Sequence, residues 1–234
     1  MYEMDKMYRL HYAPDNASFI IRVALEELGL PYETALVDRS TRAQDAPAYR
    51  KLNPAGLIPV LETPQGPIFE TGAILLWLAD RHPGPLLPPP DSPYRGDALK
   101  WLFFLSNTLH PALRMLFYPE KYIGPDPALQ KGLRQHMQAE FLRLVDLVEA
   151  GRMADAPGDQ LASDVYLACL LRWMAIDLPG AQEWFALGRW PRIETLCRSL
   201  DARPAVQRAQ QAEGLGPRPF SAPRLPVPPE GART

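Results

Sequence analysis

The chain has 234 residues, 47% of them hydrophobic and 22% charged, which is the composition of a folded protein and excludes disorder over the whole length. Its 25 Lys and Arg nearly balance its 27 Asp and Glu. The net charge therefore gives no reason to expect nucleic acid or a membrane surface as a partner.

Cysteine usage and the N-terminus indicate the compartment. Cys169 and Cys197 match no disulfide or metal-ligand spacing. The first residues lack the apolar segment of a secretory signal, and no apolar stretch is long enough to span a membrane. We therefore expect a cytoplasmic protein that holds no metal.

Proline is the unusual residue, because the chain has 27 of them and they concentrate at 83–93 and at 217–229. The first cluster separates two differently patterned halves and predicts a linker. The second predicts a tail that is extended or disordered, or that packs along the surface in a polyproline-like form. The predicted organisation is a first domain over 1–83, a linker over 84–94, a second domain over 95–213 and a tail over 214–234.

The first half alternates strand and helix patterns. In chain order these are a strand over Tyr8–Tyr12, a helix ending at Gly29, a strand over Tyr32–Val37, a weak short helix over Ala43–Leu52, a hairpin around Gln65–Gly66 and a helix from about Gly72. This order predicts a thioredoxin-like domain with one parallel strand pair and antiparallel edge strands.

The second half carries only helical patterns. Apolar spacing predicts one long helix over 99–116 and another over 133–148, and the apolar run Val165–Trp173 predicts a buried central helix. A further amphipathic helix over 193–200 follows Trp190–Pro191. The predicted fold class is therefore α/β plus all-α, a thioredoxin-like domain followed by an all-helical bundle.

Ligands of a thioredoxin-type domain gather where the first strand ends and the first helix begins. At that corner the sequence reads Ala13-Pro-Asp-Asn-Ala-Ser18, without a thiol. A disulfide oxidoreductase is therefore excluded, because its exchange chemistry needs a cysteine there.

Two further motifs of the first half have an ordinary and a functional interpretation. In Ile58-Pro59-Val60, the proline either begins a strand or forms a cis bond that leaves the Ile58 carbonyl and the Val60 amide free for an extended ligand. In Glu70-Thr71, Thr71 either caps the next helix or helps to bind a ligand carboxylate while Glu70 binds an ammonium group. Taken singly, each motif favours the ordinary interpretation.

Together these motifs resemble the glutathione site of the glutathione transferases, through Asn53–Leu61 followed by Phe69–Ile74. The resemblance covers about residues 8–215. Further matches to the family are Ala24–Gly29, Trp77–Asp80, Trp190–Pro191 and Ala202–Ala205, and matches to its bacterial beta class are Tyr12–Pro14, Trp101–Phe104 and Leu109–His110.

The resemblance implies the family's two-domain fold, usually a homodimer, and glutathione as the co-substrate. It implies that the backbone of Ile58 or Val60, beside a cis-Pro59, pairs with the cysteinyl unit of glutathione. It also implies that Glu70 and Thr71 hold the γ-glutamyl end.

Three positions decide how far the resemblance extends. His110 matches a beta-class histidine that faces the site from the helical domain, and a surface or interdomain histidine is an equal alternative. Ala17 stands where the beta class has its cysteine, so mixed-disulfide chemistry is expected to be absent. Leu57 stands where the family often has Lys or Gln, which removes one polar contact to the ligand.

Activating the glutathione thiol needs no protein cysteine. Lowering its pKa by two units from ~8.5 takes ~2.7 kcal/mol, and one hydrogen bond to a charged group contributes ~1.5–3 kcal/mol while a helix N-terminus adds ~0.3–1 kcal/mol. The candidate donors are Ser18, Asn16 and Tyr12, with Ser18 or Asn16 preferred. Their ordinary roles are a helix cap, a turn and a structural contact. Asp15 would oppose the thiolate unless its carboxylate points away.

The leading hypothesis is a glutathione transferase that acts in detoxification, by attack of the thiol on small apolar electrophiles. Phe103, Leu113 and Phe117 either line the electrophile pocket or belong to the core. The alternatives are a non-catalytic glutathione-binding or protein-interaction module, and a glutathione-dependent isomerase, dehalogenase or ether-cleaving enzyme.

Overall fold

The computed structural model describes residues 7–153 and 160–233. Positions 1–6, 154–159 and 234 lie outside the described residues, and with them the start of the predicted first domain, the N-terminal segment and the last residue of the predicted tail. Within the described ranges, no helix is long and apolar enough to cross a membrane.

The first half forms a sheet covered by helices. Its strands are β1 (Tyr8–Tyr12), β2 (Tyr32–Leu36), β3 (Val60–Thr63) and β4 (Gly66–Phe69), in the order β2–β1–β3–β4. Its helices are α1 (Ser18–Glu27), α2 (Pro47–Arg50) and α3 (Thr71–Arg81). β1 is parallel to β2 and antiparallel to β3, and β3 and β4 form the predicted hairpin. The predicted thioredoxin-like domain is confirmed.

Local sequence explains where these elements begin and end. α1 stops before Gly29, which adopts a φ of 63°, and the hairpin turns at Gly66 with a φ of 117°. Glycine adopts both conformations without the steric cost of a Cβ. The weak helix predicted over 43–52 consists of a 3₁₀ turn at Ala43–Asp45 and of α2, which begins at Pro47.

The second half is the predicted all-helical bundle. Its helices are α4 (Arg95–Phe104), α5 (His110–Phe117), α6 (Glu120–Ile123), α7 (Pro127–Leu147), α8 (Leu161–Asp177), α9 (Pro191–Asp201) and α10 (Pro204–Glu213). The long helix predicted over 99–116 runs on but widens to a π-helix at Leu105–Leu109. Pro111 accounts for this change, because it lacks the N–H that an α-helix would bond to the Asn107 carbonyl. α8 is buried along most of its length, as predicted.

A buried ion pair joins the loop after β1 to α8. Arg172 Nε donates to Asp15 Oδ1 at 2.7 Å, and Arg172 Nη2 donates to Asp15 Oδ2 at 2.9 Å. Trp173 Nε1 also donates to Asp15 Oδ1, at 3.0 Å. The side chains of Arg172 and Asp15 are 0% and 1% exposed. The Asp15 carboxylate is therefore directed at the helical half, and its charge is matched there.

A second buried pair holds the same loop from α10. Arg22 Nε donates to Glu213 Oε1 at 2.7 Å, and the Asp15 backbone N–H donates to Glu213 Oε2 at 2.9 Å. Glu213 is the last residue of α10 and is fully buried. The loop after β1 is thus fixed to two helices of the second half.

The predicted tail packs along the surface of the protein, which is one of the forms that its sequence left open. Phe220 is buried, and its N–H donates to Asp201 Oδ1 at 2.9 Å. Arg172 Nη1 donates to the Pro219 carbonyl and Arg172 Nη2 to the Arg224 carbonyl, each at 3.0 Å. The tail therefore closes around the buried arginine.

Replacing Arg172 tests how far the fold depends on its pair with Asp15. Arg172→Met leaves the buried carboxylate without its cation, so we expect the free energy of unfolding to fall by about 3–5 kcal/mol. Urea unfolding followed by tryptophan fluorescence measures the change. Arg143→Met is the matched control, because Arg143 pairs with Glu140 on an exposed face of α7. Equal stability of the two variants would contradict the assignment.

Candidate functional site

A cavity of about 630 Å³ lies between the two halves. The first half lines it with the loop after β1, the loop before β3 and the start of α3, and the second half lines it with α5, α6 and α8. The tail contributes Arg233. The cavity therefore stands at the corner where the sequence predicted a ligand.

Asn53 shapes the loop before β3. Asn53 Nδ2 and the Tyr49 hydroxyl both donate to the Leu57 carbonyl, each at 2.8 Å. Asn53 Oδ1 accepts from the Ala55 N–H at 3.0 Å. The asparagine of the Asn-Pro motif thus holds the loop in the form that presents the next residues to the cavity.

Ile58, Pro59 and Val60 follow this loop. The Ile58–Pro59 peptide bond is cis, as the resemblance implied. Ile58 and Pro59 line the cavity. Val60 instead has its side chain buried in the sheet, where it is paired with His11 of β1 and Phe69 of β4. Val60 does not line the cavity.

Glu70 and Thr71 line the cavity at the start of α3. The ordinary interpretation of this motif as a Thr71 cap is wrong, because Glu70 occupies the capping position and no side chain makes a capping hydrogen bond. Glu70 has a φ of 72°, a conformation that costs a non-glycine residue about 1–3 kcal/mol and that concentrates at functional sites. Both its carboxylate and the first-turn N–H groups of α3 are thus available to a ligand.

His110 lines the cavity from α5, a position that fits both a site histidine and an interdomain one. Its Nδ1 lies 2.9 Å from the Tyr166 hydroxyl. Burial lowers the pKa of His110 to about 4, and the Arg114 charge lowers it in the same direction. The imidazole is therefore neutral at physiological pH and offers a ligand no positive charge. Ser106, one helical turn earlier, lines the cavity too and was missed, although its i, i+4 spacing to His110 indicates it.

The hydroxyl of Ser18 is committed to the protein itself. Ser18 is fully buried, and its Oγ donates to the Ala13 carbonyl at 3.1 Å and accepts from the Ala13 N–H at 3.3 Å. It does not line the cavity. The ordinary interpretation of Ser18 as a helix cap is wrong, because Ala17 occupies the capping position and the Ser18 hydroxyl instead bonds to the backbone of the loop before α1.

Asn16 lines the cavity, but its amide is also engaged. Its Nδ2 donates to the Pro14 carbonyl at 2.9 Å and to the Arg233 carbonyl at 3.0 Å, and its Oδ1 accepts from Arg39 Nη1 at 2.7 Å. A ligand would therefore have to displace one of these contacts to gain a hydrogen bond from the side chain.

Tyr12 is buried and its hydroxyl donates to Glu230 of the tail. Burial raises the pKa of Tyr12, and the hydrogen bond to Glu230 raises it further. Tyr12 does not line the cavity. The backbone N–H groups at the start of α1 have no partner within the helix, and of these residues Ala17, which precedes α1, lines the cavity whereas Ser18 does not.

Two of the three residues predicted for the electrophile pocket lie at the cavity. Leu113 and Phe117 line the cavity, whereas Phe103 does not and is 47% exposed. Phe103 falls on the outer side of α4, since its neighbour Leu102 takes the buried side. The spacing of apolar residues predicted the helix that contains Phe103, but it could not predict which side of that helix faces the cavity.

Several charged and aromatic residues that line the cavity were not predicted from the sequence. From the helical half and the tail these are Arg114, Tyr118, Lys121, Tyr122, Asp177 and Arg233. From the first half, Arg39, Arg42 and Arg50 also line the cavity. Their side chains carry no motif, so only the fold reveals that they face one cavity.

Neither cysteine of the chain belongs to this cavity. Cys169 and Cys197 are free and buried, and burial raises the pKa of Cys197 to about 12. Neither lines the cavity. Over residues 7–153 and 160–233, no cluster of His, Cys, Asp or Glu is arranged to hold a metal ion.

Comparison with known proteins gives a consistent result. The family model of the glutathione S-transferase N-terminal domain matches residues 17–81, from the start of α1 to the end of α3. Glutathione S-transferase GST-4.5 of Xanthomonas campestris is 29% identical over 214 residues, which cover 88% of this chain and 99% of that protein.

Two solved structures are similar over most of their length. A glutathione transferase from Methylococcus capsulatus is 30% identical, with a TM-score of 0.74, and the match covers 90% of this chain and 100% of that one. A glutathione transferase from Burkholderia graminis, which has two glutathione molecules bound per subunit, is 29% identical with a TM-score of 0.72 and is matched over 90% of each chain.

The variant Ser18→Ala separates a structural role from a catalytic one. Because the hydroxyl bonds to Ala13, we expect the free energy of unfolding to fall by about 1 kcal/mol while glutathione conjugation per folded molecule persists. Urea unfolding and a conjugation assay measure the two quantities. Asn16→Ala, at the cavity itself, is the matched variant and should lower conjugation. If Ser18→Ala lost conjugation activity without losing stability, the Ser18 hydroxyl would have to be a donor to the glutathione thiol.

Proposed function

The chain belongs to the glutathione transferase family, and from this premise we propose that it binds glutathione in the cavity between its halves and joins the sulfur to a small electrophile with an apolar body. One observation carries the proposal. Glu70 and Thr71 at the start of α3, the Ile58–Pro59 loop, and Asn16 and Ala17 just before α1 all border one cavity.

The γ-glutamyl end of glutathione carries a carboxylate and an ammonium group. We assign the carboxylate to Thr71 and the first-turn N–H groups of α3, because a helix N-terminus is an anion site. We assign the ammonium group to Glu70, whose carboxylate makes no capping bond.

The other two units of glutathione follow from this orientation. The cysteinyl backbone pairs with the backbone of Ile58 and Val60 beside Pro59. The glycyl carboxylate lies toward the wall that carries Arg39 and Arg42, which are both cations at the cavity. Cations on that wall are suited to a carboxylate.

The thiol reaches the start of α1. There the N–H groups of Ala17 and Ser18 and the positive end of the helix stabilise the thiolate, with Asn16 beside them. Asp15 does not oppose this charge, because Arg172 matches it. The thiol proton passes to solvent, the sulfur lone pair forms the carbon–sulfur bond, and the leaving group departs with its bonding pair. Leu113 and Phe117 contact the apolar body of the electrophile.

A non-catalytic glutathione-binding module is the second candidate, and a specific observation favours it. The side-chain donors Ser18, Asn16 and Tyr12 all have protein partners. If the backbone N–H groups near α1 do not stabilise the thiolate enough to form it, glutathione binds with its thiol protonated and no conjugation follows.

Calorimetric titration with reduced glutathione distinguishes these two functions. At a pH below ~8.5, titrations in two buffers of different ionisation heat should reveal a proton released on binding, because the site holds the thiolate. Thr71→Ala should weaken binding by about 1–3 kcal/mol through the lost bond to a carboxylate. Binding without proton release would support the non-catalytic module, and absence of binding would contradict both.

We also propose a cytoplasmic homodimer that takes part in detoxification. Phe69, on the edge strand β4, and Phe103, on the outer side of α4, are both more than one third exposed and are suited to an apolar contact between subunits. The free, buried cysteines are compatible with a reducing compartment.

A further inference from the structure

Two cations of the helical wall are held against one aromatic ring. The Arg114 guanidinium carbon lies 5.7 Å from the centroid of the Tyr118 ring, and Lys121 Nζ lies 4.3 Å from the same centroid. Arg114 Nε also donates weakly to the Tyr122 hydroxyl, at 3.4 Å. All four residues line the cavity, so α5, α6 and the turn between them form a cationic and aromatic cluster there.

This cluster has no internal anion. Within the part of the chain that the structure describes, neither Arg114 nor Lys121 takes part in an ion pair. Three other cations of the cavity do: Arg42 and Arg50 share Asp45, and Arg233 pairs with Asp177. Arg39 instead donates to the neutral Asn16 side chain. Two like charges on one cleft wall repel each other and attract an anion from solution.

Glutathione, bound as proposed above, does not supply that anion. Its γ-glutamyl carboxylate is assigned to the start of α3 and its glycyl carboxylate to the wall with Arg39. The cluster instead adjoins Phe117, since the Phe117 and Tyr118 ring centroids are 6.2 Å apart. Phe117 belongs to the part of the cavity assigned to the electrophile.

We propose that the second substrate is a small aromatic electrophile bearing a carboxylate, which Arg114 and Lys121 bind while its ring packs on Phe117 and Tyr118. This inference rests on the proposed function and deepens it. The carboxylate is not changed in the reaction, and it orients the electrophilic carbon toward the glutathione sulfur.

The test compares 4-chloro-3,5-dinitrobenzoate with its methyl ester, which differ in charge but share one reacting carbon. In both, the thiolate sulfur bonds to the carbon that bears chlorine, and chloride leaves with its bonding pair. kcat/KM for each is divided by the rate of its uncatalysed reaction with glutathione. We expect wild type to prefer the acid by roughly tenfold or more, as a bond between charged groups provides.

The variant that removes the cluster's charge is Arg114→Gln with Lys121→Gln. It should abolish the preference for the acid. Lys131→Gln is the matched control, because Lys131 is an exposed lysine on α7 that does not line the cavity. It should retain the full preference. A wild type that does not prefer the acid, or a double variant that keeps the preference, would overturn the proposal.

Two further measurements separate this inference from the proposed function. If the double variant loses glutathione affinity in calorimetry, the cluster holds a glutathione carboxylate and the inference is wrong. If wild type binds no glutathione, the proposed function fails, and quenching of tryptophan fluorescence by 3,5-dinitrobenzoate still tests the cluster. If 3,5-dinitrobenzoate binds roughly tenfold more weakly to the double variant but not to Lys131→Gln, the anion site is supported. If its binding to the double variant is unchanged, the anion site is overturned.

Discussion

The rest of the structure depends on the buried pair between Asp15 and Arg172. Burying two charges costs several kcal/mol each unless every polar atom finds a partner. Here Arg172 bonds to Asp15 and to two carbonyls of the tail, and Trp173 completes the contacts of the carboxylate. The loop after β1 therefore has one position relative to α8. That loop leads directly into α1, and its residues Asn16 and Ala17 border the cavity, so the pair fixes one wall of the site from the opposite half of the chain.

The tail extends the same constraint to the cavity. It is anchored by Phe220 and by the bonds to Arg172, and its last described residues reach Tyr12 and Asn16. Both residues were candidate donors for the thiol, and both are instead partly satisfied by the tail. What remains for the thiolate is the backbone at the start of α1, which needs no side chain of a particular type.

Local patterns were sufficient to predict most elements of the fold, although not α6 or α10, and to point to the cavity residues of the first half. The strands, the hairpin and the buried helix α8 follow from spacing within short windows, and the residues from Asn53 to Thr71 are close enough in sequence to form one motif. Long-range partners were not predictable. Arg172 interrupts an apolar run without indicating that its partner lies 157 positions earlier. The exposure of Phe103, and the position of Arg114 and Lys121 at the cavity, depend on how the helices are rotated relative to the first half.

The central claim is that the start of α1 holds the glutathione sulfur through its backbone. A crystal structure of the protein with glutathione tests it most directly. The account predicts the sulfur within hydrogen-bond distance of the Ala17 or Ser18 N–H, with Asp15 still bound to Arg172 and the γ-glutamyl end at Glu70 and Thr71. A sulfur turned toward Ser106 or His110, away from α1, would contradict it.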